Sequence, residues 1–413
     1  MIQIKQKPED FKVKEILGEE IHKSMSAKEK GEYSYYKLTK INYNTVDAVM
    51  VIAKNWKLDT KTINFAGAKD KHAVTEQYIS IWNGPKKDMY LDNITLHYLG
   101  QGNQRINLGC LEGNEFEIIV ESDASSGQFP RAITKTINYF DDQRFGRNKD
   151  NHVVGKLLVQ RKFKEVCELL AAHDGVSHNA MSHDVSKETD HETLQSRFVV
   201  QDNNYVGALR TIPRKVLQLY VHAYQSYLWN LVVDEYVRKN FRFYEIEYGL
   251  GKLAIPFVIG DLQQTKVPII GFGTEFSSES TYQGKYDKLG AIVDVILEKE
   301  GITLRDFVIR EIPEITNEGS ERDMILVVDK LKVTELNRPS WLARLFAWLL
   351  HKPPQNFRKY KLAFTLGKGS YATLVVKDVF AAPIPISTNS AANEANNDAK
   401  HDTKPAAATS KEL

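Results

Sequence analysis

Alternating apolar residues mark both ends of this 413-residue chain and give way to helical spacing in its middle. FKVKEI (11–16) and YSYYKLTKI (33–41) alternate like half-buried strands. QYISIW (77–82) and EFEIIV (115–120) read the same way. Between them, TVDAVMVIAKNWKL (45–58) has helical spacing with Thr45 as N-cap, and Pro130 is placed to open a helix over PRAITKTINYF. Strands dominate without a regular βαβ alternation, which predicts an α+β fold with a mostly antiparallel mixed sheet and flanking helices.

From about 151 to 310 the pattern is helical, with long helices expected over GKLLVQRKFKEVCELLAAH (155–173) and VLQLYVHAYQSYLWNLVVDEYVRK (216–239), the second entered through Pro213 in its first turn. Strands are expected again in MILVVDKLKV (324–333), KLAFTL (361–366) and YATLVVKDV (371–379). A sheet split by a helical middle predicts a discontinuous domain, 1–150 with 311–380, carrying an inserted domain over 151–310. The stretch 381–413 is rich in Ala, Asn, Ser and Pro, has no aromatic residue, and is expected to be disordered.

Two cysteines, Cys110 and Cys167, form no CxxC pair and no disulfide framework. MIQIKQKPEDF lacks the apolar segment of a signal peptide, and WLARLFAWLL (341–350), interrupted by Arg344, is half the roughly 20 residues of a membrane span. The chain therefore reads as soluble and intracellular, or cytoplasmic. A net charge of +2 leaves any nucleic-acid surface to a local patch.

The densest chemistry lies in NFAGAKDKHAVTEQ (64–77), where Asp70 sits between Lys69 and Lys71 behind a turn permitted by Gly67, with His72 and Gln77 following. Flanking ammonium groups favour an ionised carboxylate and could attract a phosphate backbone. A charged hairpin tip is the plain alternative, and the crowding of Gly, Asp, His, Thr and Gln weighs against it. In NYFDDQRFGRNKD (138–150), Tyr139, Phe140 and Phe145 interleave with Arg144, Arg147 and Lys149, a composition suited to phosphate contact and base stacking or to a solvated helix end. LGCLEGNEFEIIV (108–120) puts Asn114 and Phe116 on one strand face, as an amide beside a ring or as a turn leading to a core residue. LGKGSYAT (366–373) fails the phosphate-loop pattern but presents Ser370 and Tyr371 on a glycine turn. His173, His178, His183 and His191 lie in a polar stretch without cysteine and fit a mobile loop better than zinc. WLARLFAWLLHKPP (341–354) reads as a buried helix or a partner-binding one.

Taken in order, PEDFKVKEI, GEYSYYKLTKINYNT, FAGAKDKHAVTEQ, NYFDDQRFGRN and GSYAT resemble the TruD family of tRNA pseudouridine synthases. The resemblance covers most of residues 1–150 and the end near 360–379. RTIPRKVLQLYVHAYQSYLWN (210–230) looks like the archaeal and eukaryotic branch, while WLARLFAWLLHKPP departs from the family pattern. It implies a pseudouridine synthase catalytic domain with an inserted TRUD domain. It also implies isomerisation of uridine to pseudouridine in tRNA, typically at position 13, with no cofactor or metal and no membrane or obligate protein partner. Asp70 matches the catalytic aspartate, and Lys5, Phe11, Asn114 and Phe116 fall at positions lining the uridine pocket. Tyr371 falls where a second stacking ring is expected. Lys69, His72 and Arg144 join them as candidate RNA contacts.

Two other activities are open to such a chain. One is a tRNA-binding protein or RNA chaperone that keeps the pocket and acts without catalysis. The other is a glycosidase, which usually needs two carboxylates at a set separation where only Asp70 has motif support.

Overall fold

The computed structural model describes residues 2–26, 30–123, 129–173, 203–260, 262, 265–274, 287–336 and 357–381. Its centre is a ten-stranded sheet built from both ends of the chain. The first part supplies β1 (Ile2–Ile4), β2 (Phe11–Leu17), β3 (Tyr33–Ile41), β4 (Ile63–Phe65), β5 (Val74–Trp82), β6 (Met89–Leu91), β7 (Ile94–Gly102) and β8 (Leu111–Asp123). Outside the sheet, β9 (Lys135–Ile137) pairs with β14 (Ile325–Val327), β10 (Phe243–Tyr248) with β11 (Gly251–Pro256), and β12 (Lys266–Ile269) with β13 (Ser320–Asp323). The last two sheet strands are β15 (Asp329–Glu335) and β16 (Phe357–Gly367). The sheet order is β15-β16-β8-β2-β5-β3-β7-β6, with β1 on β8 and β4 on β5, and every pairing is antiparallel except β2 with β5.

The helices are α1 (Glu19–Ser26), α2 (Thr45–Trp56), α3 (Asn151–Val159), α4 (Phe163–His173), α5 (Tyr205–Leu209), α6 (Arg214–Asn240), α7 (Asp287–Glu300) and α8 (Ala372–Val379). α2 covers β3, β5 and β7 through Ala48, Val49, Ile52 and Ala53, packed on Tyr36, Leu38, Ile79, Ile81 and Leu96. α8 covers β8 and β16 through Val375, Val376 and Val379. A separate, larger core gathers α3, α6, α7, β10 and β11 around Trp229, Tyr220 and Tyr224, and it draws in Tyr139, Phe140 and Phe145 from the preceding segment. Leu374 of α8 belongs to that core and Val375 to the sheet core, so this short helix touches both.

The strands expected over 11–16, 33–41, 77–82, 115–120 and 361–366 are present, as are helices over 45–58 and 216–239. Six expectations need correction. YATLVVKDV forms helix α8, not a strand; short apolar runs of this kind do not distinguish the two by periodicity. No helix opens at Pro130. The β-branched run ITKTI leads into β9, paired with β14. The helix over 155–173 is two helices, separated where Arg161 takes a left-handed φ of 58°. The strand over 324–333 is likewise two, β14 and β15. Pro213 is the residue before α6 rather than part of its first turn. The cap of α2 is Asn44, whose side chain accepts from the Asp47 N–H at 2.7 Å, and Thr45 is turned to another use. The stretch 341–354, the histidines 178, 183 and 191, and residues 382–413 lie outside the described residues.

The long helix α6 holds the segment before α3 by polar contacts. Asn230 is fully buried and clamps one residue in both directions: its Oδ1 accepts from the Phe140 N–H at 2.9 Å and its Nδ2 donates to the Phe140 carbonyl at 2.8 Å. Trp229 donates to the Val267 carbonyl at 3.2 Å and packs edge-on against Phe140. Asn230→Ala strands a buried donor and a buried acceptor. It should cost about 2–4 kcal/mol and lower the thermal melting midpoint by several degrees, whereas exposed Asn240→Ala on the same helix should leave the midpoint within a degree or so.

Candidate active site

The loop from Ala66 to Ala73 joins β4 to β5 and has no regular structure of its own, so its buried polar groups need partners from elsewhere. Thr45 Oγ1 accepts from the Lys69 N–H at 2.8 Å and donates to Gln77 Oε1 at 2.8 Å. Gln77 in turn donates to the Gly67 carbonyl at 3.2 Å, and the Gly109 N–H donates to the Ala66 carbonyl at 2.9 Å. Lys40 of β3 is fully buried, and its ammonium donates to the carbonyls of Tyr43 at 2.6 Å, Asp70 at 3.0 Å and Lys69 at 3.3 Å.

This scaffold leaves the Asp70 carboxylate partly exposed and held from two sides. Lys5 Nζ lies 2.6 Å from Oδ2, and Gln143 Nε2 donates to Oδ1 at 2.8 Å. Lys5 reaches it from a left-handed backbone conformation, φ 58°, uncommon for a residue with a Cβ. The same ammonium stands 4.0 Å from the centroid of the Phe11 ring. A cation against the carboxylate favours its ionised form, and the Gln143 amide adds a neutral donor.

The charges flanking Asp70 in sequence act differently from the expectation. Lys69 is buried and points away, forming an ion pair with Glu15 of β2, whose other oxygen accepts from the Tyr78 N–H at 3.1 Å. Adjacent residues of an extended segment face opposite ways, so the residue next to the carboxylate serves the interior. Lys5, far off in sequence, supplies the cation. Lys71 is half-buried and His72 exposed on the same loop.

Phe11 and Phe116 meet edge to face at 6.1 Å, and Phe116 stacks on Phe364 of β16 at 5.5 Å. Both Phe11 and Phe116 are buried, so they form the wall and floor beside Lys5 rather than free-standing rings. Asn114, two residues along β8, keeps a buried side-chain Oδ1 with no hydrogen-bond partner among the described residues. A buried acceptor left open is costly unless something else completes it, and an N–H donor of a bound base would do so.

Lys5, Phe11, Phe116 and Asp70 are therefore brought into one cluster, while Lys69 serves the interior beneath the loop. Arg144 and Tyr371 lie in a neighbouring one. Arg144 donates through Nε to Ser226 of α6 at 2.9 Å and stands 5.5 Å from the Phe140 ring. Tyr371 caps α8, 6.2 Å from Phe140 and 6.0 Å from the Arg322 guanidinium. Arg322 lies 4.1 Å from the Phe140 ring and donates to Asn138 and to the Gly369 carbonyl; burial, aided by Arg144, lowers it to about 10. Gln143, beside Arg144 on the turn Asp142–Phe145, connects this cluster to Asp70. Gln143 and Lys40 escaped the sequence reading. Gln143 lies inside NYFDDQRFGRNKD, whose rings and charges carry the stronger signal. Lys40 shares the buried phase of β3 with Tyr36 and Leu38, and a charge on that phase is the signal.

A family model described as TruD, tRNA pseudouridine synthase D, matches residues 2–249 and 264–379. The chain belongs to that family. Curated relatives include a protein from Nanoarchaeum equitans, 29% identical over 93% of this chain and 100% of its own length. Another, from Methanocaldococcus jannaschii, is 31% identical over 92% of each. The Aquifex aeolicus relative, named tRNA pseudouridine synthase D, is 28% identical over 93% of this chain and 99% of its own. Among solved structures, that of a TruD protein from Methanosarcina mazei superposes with a TM-score of 0.59 at 23% identity, covering 92% of this chain and 93% of that one, which shows the common fold.

The buried pair beneath the loop makes a separable claim. Glu15→Ala leaves the Lys69 ammonium buried without its carboxylate and should cost about 3–5 kcal/mol. The double change Glu15→Leu with Lys69→Met, an apolar pair of similar volume, should recover most of that loss in a denaturant melt. Recovery of none of it would mean that the loss comes from the Tyr78 N–H left without Glu15 and not from the Lys69 charge left unpaired.

Proposed function

We infer that this chain is a tRNA pseudouridine synthase that isomerises uridine to pseudouridine, at position 13 of tRNA, with Asp70 as the catalytic group. The observation that carries the reading is the Asp70 carboxylate held between Lys5 and Gln143 at the edge of an aromatic wall with the open Asn114 acceptor. The reaction breaks the N1–C1′ bond, turns the base and joins C5 to C1′; C5 gives up its proton and N1 gains one. The target uridine leaves its stack, which costs a few kcal/mol and is offset by contacts inside the pocket. Phe11 and Phe116 offer the apolar surface against which the base lies, and Asn114 accepts from its N3–H. Tyr371, Lys71 and His72 line the approach.

Asp70 needs to be ionised for each route open to it: addition to C1′, removal of the 2′ proton, or addition at C6 of the base. Lys5 keeps the charge in place and fixes one oxygen, leaving the Gln143 contact as the one substrate must displace. Arg144, with two guanidinium nitrogens not engaged by Ser226, is placed for an RNA phosphate. We assign catalysis to residues 1–150 with 311–380 and a supporting, inserted unit to 151–310, with the cytoplasm as the site of action. Among the described residues no helix is long and apolar enough to cross a membrane.

The reading is tested on unmodified tRNA transcripts carrying uridine at position 13. Wild-type protein should produce a carbodiimide-dependent primer-extension stop at that base and Asp70→Asn should not, with tRNA affinity within about threefold of wild type. Equal product from both proteins would remove Asp70 from the chemistry. Arg144→Gln should weaken tRNA binding and make the log–log salt slope shallower by about 1, at unchanged single-turnover rate on bound tRNA. An unchanged slope would exclude a phosphate contact there.

A further inference from the structure

A lysine ammonium buried without a carboxylate partner is expensive to keep charged, so its position asks for a reason. Lys40 is such a group: none of its three contacts is an acid, and all three are backbone carbonyls. An ammonium has three donors, and here there are three acceptors, one from the turn after β3 and two from the loop that carries Asp70. The strand residues registered against Lys40 are Thr75 on β5 and Ile94 on β7, neither of them titratable. The charged groups that act on it are Asp70, which favours the ammonium, and Lys69, which opposes it and is itself answered by Glu15.

We propose that Lys40 is a positioning residue for the reaction at Asp70: its protonated side chain pins the loop by the Lys69 and Asp70 carbonyls and so sets where the carboxylate stands relative to the ribose. This rests on the reading of Asp70 as the catalytic group. Substrate does not touch Lys40. Loss of its proton removes one of three donors, loosens the loop and slows chemistry without weakening RNA capture, because the phosphate-facing cations lie elsewhere. Burial lowers the lysine to about 8 from its ordinary 10.5, which places this loss within an accessible range. The sign for stability is the opposite. With the folded value below the unfolded one, the unfolded chain holds more protons between about 8 and 10.5, so this group makes folding more favourable as pH rises across that window. Activity falls where this contribution to stability climbs, and a merely structural lysine would not separate the two.

The experiment measures single-turnover pseudouridine formation on saturating, pre-bound tRNA from pH 7.0 to 8.8, with the Lys40→Met profile as the control for ionisation of the uracil base, which begins at the top of this range. Wild type should slow about sixfold across that range. Lys40→Met should be about tenfold or more slower at pH 7, flat with pH, and unchanged in tRNA affinity within about twofold. Lys40→Arg, which keeps its proton throughout, should retain activity and lose the basic slowing. A flat wild-type profile, a basic limb that persists in Lys40→Met, or a rate equal to wild type in Lys40→Met would overturn the proposal. Should Lys40→Met fail to fold, the wild-type and Lys40→Arg profiles decide alone. Asp70→Asn run in parallel separates the two claims. If it is active, the reading of the site fails; if it is inactive and Lys40→Met keeps the wild-type rate, only the role of Lys40 fails.

Discussion

A loop that is neither helix nor strand has to have its buried polar groups satisfied by others, and the segment Ala66–Ala73 meets that requirement almost entirely with side chains from distant elements. Thr45 comes from the head of α2, Gln77 from β5 and Lys40 from β3. Each is a buried polar group, and each is inert until the sheet assembles. The loop therefore acquires its shape from the tertiary fold, and the one carboxylate it leaves partly exposed is as rigid as the sheet beneath it.

The second support comes from the other core. α6 holds Phe140 by both backbone groups and Arg144 by its side chain, and these flank the turn whose Gln143 reaches Asp70. A cation from the residue after β1 approaches from one side and a helix-braced amide from the other. Their different supports give them different stiffness: Lys5 is tied to β1 and the Phe11 ring, while Gln143 depends on how well the helical core packs.

The sequence disclosed what local rules govern. β3 has the bounds of YSYYKLTKI, and its C-terminal half alternates in burial, since a half-buried strand writes its faces into the chain. α8 was misread because TLVV satisfies either period over so short a run, and the break at Arg161 arises from a backbone conformation that no side-chain pattern announces. At the site, the cluster NFAGAKDKHAVTEQ pointed to Asp70, but neighbours in sequence were taken for neighbours in space. Lys69 turned to Glu15, and the cation at Asp70 proved to be Lys5. Lys40 and Gln143 act through backbone carbonyls and an amide contact across long separations, and such contacts carry no local signature.

The strand pairing has a consequence for how the chain is made. β8 is completed on one edge by β16, and Phe116 and its cross-strand partner Phe364 are 248 residues apart. At ribosomal rates of roughly 5–20 residues per second, β8 waits about 12–50 s for its neighbour, while the helical middle emerges between them. An unpaired edge is an invitation to the wrong strand. The outer face of β8 bears Glu115, Glu117 and Glu121, and lysines of β16, Lys361 and Lys359, later pair with the last two. During synthesis those carboxylates repel copies of the same edge on neighbouring nascent chains; Lys12 of β2 answers Glu117 early from the other side, while the lysine that pairs with Glu121 arrives only with the last strand of the sheet.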